Sequence, residues 1–89
     1  MLALPTELTH LQANDCLKLL RQGLEASSSP ELVVDASALK RFDSAALGVL
    51  LEFRRAALAR GRRMLVRGLP SSLADLAVLY GIMELLPPA

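Results

Sequence analysis

The chain has 89 residues, 53% hydrophobic and only 3% aromatic, so it supports one small domain, residues 1–89, whose core must be built from Leu, Val and Ala. So few aromatic rings leave no platforms for stacking bases. Ten Lys or Arg against nine Asp or Glu give a net charge of +1, too balanced to steer the molecule onto a nucleic acid by overall charge.

Leu2 to Leu4 reads as a short edge strand ended by Pro5, which has no N–H for a ladder. Thr9 and Gln12 have the spacing of a capping box, and the apolar positions Ala13, Cys16, Leu17, Leu20 and Leu24 line one helical face, so a helix is predicted from Leu11 to Leu24. The tract Ala26-Ser27-Ser28-Ser29-Pro30 is a loop between elements. Glu31 to Asp35 is a β-rich apolar run and reads as a buried strand, and Arg63 to Arg67 reads as a second one. Between them a helix runs from about Ser44 to Arg60 and stops at Gly61, which makes a β-α-β unit with parallel strands. A third helix starts at Ser71 or Ser72, presents Leu73, Leu76, Ala77 and Tyr80, and stops at Gly81. Ile82 to Leu86 is either a last edge strand or a tail packed under the core. The whole is a small layered α/β fold: a short mixed, mainly parallel sheet of about three to four strands with three helices.

The middle helix carries the functional signal. Ala46, Val49, Leu50, Phe53, Ala56 and Ala57 form the face that belongs on the sheet, while Leu47, Leu51 and Leu58 form a second stripe interrupted by Arg54. Together they exceed the ~100° apolar stripe that a surface helix needs. Either a neighbouring helix or a partner protein must cover the second stripe. Gly48, Glu52, Arg55 and Ala59 make the solvated side. Asp43 or Ser44 is an N-cap for this helix, and a hydroxyl there is also well placed for phosphate, given the free N–H groups of the first turn.

Other chemistry is poorly supplied. Cys16 is the single cysteine and belongs to an apolar face; His10 is the single histidine and has no partners for a metal or for catalysis. Asp35 and Asp43, without a nucleophile or metal, do not make a hydrolase, and no Gly-rich phosphate loop is present. Eight of the ten cations lie between Lys40 and Arg67, mostly as a solvated face, the remainder being suited to an acidic protein surface or to anionic lipid headgroups. The N-terminus lacks a basic start and a signal-length apolar run, and no stretch approaches about 18 uninterrupted apolar residues, so the chain is expected in the cytoplasm without a membrane span.

The run Leu32-Val33-Val34-Asp35-Ala36-Ser37-Ala38-Leu39, followed by Phe42-Asp43-Ser44-Ala45-Ala46-Leu47-Gly48-Val49-Leu50-Leu51, resembles the STAS domain shared by sulfate transporters and anti-sigma factor antagonists. Arg67-Gly68-Leu69-Pro70 and Leu73 to Gly81 are similar to the end of MlaB-type STAS subunits of the phospholipid ABC transporter that maintains outer-membrane lipid asymmetry. The resemblance runs from about Leu4 to Leu86. It implies a non-enzymatic, cofactor-free subunit that docks on the cytoplasmic ATPase, peripheral to the inner membrane through that partner, and supports transporter assembly and activity. The family's Ser or Thr at the helix start corresponds to Ser44, beside Asp43. In the antagonists it is the phosphorylated residue, which gives the alternative of an anti-sigma factor kinase as partner.

The sequence departs from that family twice. Many STAS domains begin with a two-stranded hairpin, whereas here only Leu2 to Leu4 and the single apolar Leu8 precede the first helix, so the sheet is expected to be short by one strand; position 45 or 46 is Ala where Gly is common. The expected partner surface comprises Asp43 and Ser44 with Ala45, Leu47, Gly48, Leu51, Arg54, Arg55 and Leu58, possession of which also allows a homodimer in isolation.

Overall fold

Parallel pairing organises the molecule. In the computed structural model, which describes all 89 residues, the elements in chain order are β1 (Leu2–Ala3), β2 (Glu7–Leu8), α1 (Ala13–Ala26), β3 (Glu31–Asp35), β4 (Arg41–Phe42), α2 (Ala45–Ala59), β5 (Arg63–Arg67), α3 (Ser71–Leu79) and a 3₁₀ turn at Met83–Leu85. A three-stranded sheet has the order β1-β3-β5, and β2 and β4 form a separate two-stranded pair. All pairs are parallel. The fold is therefore α/β with three helices, as the sequence implies, although its strands are divided between two sheets and no antiparallel strand makes the sheet mixed.

Strands that run parallel need long return connections, and right-handed crossovers repeated in one direction place their helices on one face of the sheet. The burial pattern agrees. Leu32 and Val34 on β3 and Met64 and Val66 on β5 are buried, whereas Val33 and Leu65 between them are only half-buried and Glu31, Arg63 and Arg67 are exposed. Phe53, fully buried on α2, is the largest enclosed side chain beneath the helices. α2 and α3 both end in Schellman turns. Gly61 (φ +68°) and Gly81 (φ +71°) take the left-handed conformation that a side chain disfavours. The N–H of Arg62 reaches the Ala57 carbonyl at 3.0 Å, and that of Ile82 reaches Ala77 at 2.9 Å.

Two features differ from the sequence reading, and the structure decides a third that it left open. α1 begins at Ala13 rather than Leu11 and extends to Ala26. The Thr9–Gln12 pair makes only half a capping box: the Gln12 Oε1 accepts from the Thr9 N–H and hydroxyl, both at 2.8 Å, but the Thr9 Oγ1 accepts from Leu11 at 3.2 Å. Residues 9–12 therefore close a separate turn before the helix. The β2–β4 pair was not legible, because each strand is two residues long and only the pairing defines it. Residues 82–86 are not a strand. They form the 3₁₀ turn with Leu86 buried, and the strand-like contact comes later, where Val66 donates to Pro87 at 2.8 Å and accepts from Ala89 at 2.9 Å.

Arg62 also departs from the solvated basic face. Its Nε donates to the Ser29 carbonyl and its Nη1 to the Leu24 carbonyl, each at 2.7 Å, so one guanidinium ties the end of α1 and the following loop to the α2–β5 turn. Carbonyls at a helix C-terminus lack intrahelical donors, and a charged donor there satisfies them and the dipole together. Arg60, by contrast, meets Glu25 at 3.4 Å with both side chains exposed. In urea titrations followed by circular dichroism, Arg62→Ala is expected to lose about 2 kcal/mol, and Arg60→Ala less than about 1 kcal/mol. Equal losses would contradict the staple.

Candidate partner-docking surface

The turn before α2 is built by one carboxylate. Asp43 Oδ1 accepts from the Ala45 N–H at 2.8 Å, and Oδ2 accepts from the His10 N–H at 3.2 Å and lies 3.3 Å from His10 Nδ1. Asp43 is thus the side-chain cap of α2. Ser44 makes no capping bond and is exposed, so its hydroxyl is free. The Ala45 N–H, which outweighs the opposing desolvation, holds the Asp43 carboxyl below its ordinary range, and the backbone N–H and ring of His10 add smaller contributions in the same direction. Asp35 is engaged separately: Ser37 donates its N–H to Oδ1 at 3.0 Å, and Ser37, with Arg67 contributing less, lowers that carboxyl too. Each acid is committed to its own turn.

From this turn the outer line of α2 presents exposed Gly48 and Arg55, with half-buried Ala45, Leu51 and Arg54 beside it. A Cβ at Gly48 would meet nothing within 4 Å, so no internal crowding requires a glycine that costs about 1 kcal/mol relative to Ala in a helix interior. Arg55 lies 3.8 Å from Glu52 on the same helix, a loose exposed pair. Leu58 is 45% exposed and stands at the far end, roughly 20 Å from Ser44 at 1.5 Å per residue. There Leu58 and Arg54 share a shallow recess with Arg63, Met64, Glu84 and Pro87.

Leu47 is a correction. It is only 2% exposed and belongs to the core in which Leu73 and Ala77 of α3 are also buried. The buried cluster of this one chain encloses it, so Leu47 needs no partner to cover it. The second stripe is consequently split along its length, closed at Leu47, half-open at Leu51 and open at Leu58.

Sequence reasoning named neither Val78 nor Leu79 as apolar surface. Val78, Leu79 and Tyr80 at the end of α3 are 64, 79 and 55% exposed. Tyr80, assigned to the inward face, is instead the C-cap residue and points largely to solvent. The available signal was the Val78-Leu79 pair, which falls off the Leu73, Leu76 and Ala77 face at helical spacing. Leu11 is likewise exposed because it lies in the turn before α1. No group of three His, Cys, Asp or Glu side chains is placed to hold a metal ion, and no helix is long and apolar enough to cross a membrane. Burial pushes the Cys16 thiol up.

The chain is thus a parallel β-α-β layer whose central helix starts at a capped turn with an exposed Ser. The family described as Mlab, STAS domain matches residues 1–87, and the chain belongs to that family. A comparison with curated proteins gave no match. STAS domains are in general interaction modules rather than enzymes.

Because the folded state lowers the Asp43 value, the stability it contributes is present above the ordinary carboxylate range and is lost as pH falls through the lowered value. In Asp43→Asn that contribution no longer titrates. Thermal melts between about pH 5 and pH 2 should therefore fall less steeply with acid in the variant than in the wild type; parallel curves would refute the cap.

Proposed function

We propose that the protein is the STAS subunit that docks on the cytoplasmic ATPase of a phospholipid-trafficking ABC transporter, supporting the assembly and activity of that transporter. In this reading it resides in the cytoplasm, at the inner membrane through its partner, and performs no chemistry itself. The observation that carries the reading is the Ser44 turn: its hydroxyl is exposed and unbonded while the neighbouring Asp43 carboxylate holds the backbone in place. A partner meeting this turn gains a donor and acceptor without first breaking an internal bond. The α2 line supports it with an apolar centre at Leu51, a bare backbone at Gly48 where another chain can approach closely, and cations Arg54 and Arg55 at the rim. The exposed end of α3, with Val78, Leu79 and Tyr80, is a second apolar contact available to the same partner.

The free hydroxyl also favours a second reading, an antagonist of an anti-sigma factor kinase switched by phosphorylation of Ser44. Phosphate would add about −1.5 to −2 charges beside the Asp43 carboxylate. Intact-mass analysis after incubation with the cognate kinase separates the two, because stoichiometric phosphate on Ser44 is expected only for the antagonist.

For the transporter reading, Ser44→Glu and Leu58→Asp should each weaken binding to the purified ATPase about tenfold in calorimetry, with unchanged thermal melts. Leu47→Asp is expected to unfold the domain instead. Undiminished affinity in both surface variants would remove α2 from the interface.

A further inference from the structure

A second turn meets the docking turn. β2 and β4 run parallel, with Glu7 opposite Arg41 and Leu8 opposite Phe42, so the chain leaves both strands at the same end and residues 9–12 lie beside residues 43–45. The joint between them is the Asp43 carboxylate. His10 supplies both its backbone N–H, at 3.2 Å, and its ring Nδ1, at 3.3 Å, to Oδ2, while Oδ1 is occupied by the Ala45 N–H that opens α2. The His10 side chain is 77% exposed and contributes nothing to the core. Its polar engagement in this molecule is with the residue next to Ser44.

We infer that His10 is a positioning residue for the docking turn: acting through Asp43, its ring sets the orientation of Ser44, and it holds that turn more firmly when protonated. A carboxylate only accepts hydrogen bonds, so Nδ1 must carry the hydrogen. The neutral ring meets that requirement in one of its two tautomers, whereas the imidazolium always meets it and adds charge to the bond. Among the charged groups on the elements that meet here, Glu7 and Arg41 stand opposite each other on β2 and β4, Lys40 precedes Arg41, and Asp15 lies in the first turn of α1. Only Asp43 is within ion-pair distance of His10. Solvent limits the effect, since exposed pairs of this kind change an equilibrium by at most about fivefold.

The inference rests on the docking reading above. Its test uses the full chain and the purified ATPase of a phospholipid-trafficking ABC transporter from the same genome. In the free protein, the Ala45 amide resonance should shift in step with the His10 ring resonances as pH is lowered from neutral, and the shift should vanish in His10→Asn. Calorimetry should give about threefold tighter binding at the lower pH for the wild type, with that ratio reduced toward one in His10→Asn. Comparing the two proteins cancels titrating groups on the ATPase. An Ala45 resonance indifferent to the ring, or a wild-type pH ratio retained in His10→Asn, overturns the role of His10 while leaving docking intact. Absence of wild-type binding at every pH, with Ala45 still following the ring, overturns the docking reading and with it the role of His10 in docking.

Discussion

A parallel strand cannot be reached from its neighbour by a tight turn, and this constraint accounts for most of the molecule. Each strand of the β1-β3-β5 sheet is returned by a helix, and the chain end adds one more bridge at Val66 and Pro88. Because the strands are added in one direction, the right-handed preference of such connections stacks the helices on a single face. That face contains the core, with Phe53, Leu50 and Val34 fully enclosed. The same geometry gathers the starts of the helices at one end, where the Asp43–Ser44 turn lies.

At that end, the polar groups rather than the apolar ones decide what is available to a partner. Asp43 satisfies the first N–H of α2 and the His10 backbone at once, which leaves Ser44 with no internal duty. Placing the cap on the residue before Ser44 leaves the Ser44 hydroxyl free of structural work. A serine that capped the helix through its own oxygen would have to give up that bond in order to meet another molecule. Arg62 does corresponding work at the opposite end, satisfying the last carbonyls of α1 and the loop after it.

Much of this was legible in the chain. The two β-rich runs and the glycines at 61 and 81 locate β3, β5 and the ends of α2 and α3, because short apolar runs and left-handed glycines are local signals. The Thr9–Gln12 spacing was read too generously, since spacing does not say which N–H the hydroxyl will accept. Tyr80 was placed inward by periodicity, but the helix ends before it, and a cap residue no longer follows the helical wheel. Leu47 was placed outward because the wheel of α2 alone does not include the rest of the chain that encloses it.

Residues close in sequence thus determined the type of the principal elements, the glycine-marked ends of α2 and α3, most of the core, and the Asp43–Ser44 start of α2. Tertiary structure decided which half of the second apolar stripe stays open, paired the two-residue strands β2 and β4, and brought His10 to Asp43 across 33 positions. Local propensity acts over a few residues through backbone torsions and side-chain spacing. Exposure and long-range hydrogen bonds exist only once the crossovers have brought distant segments together.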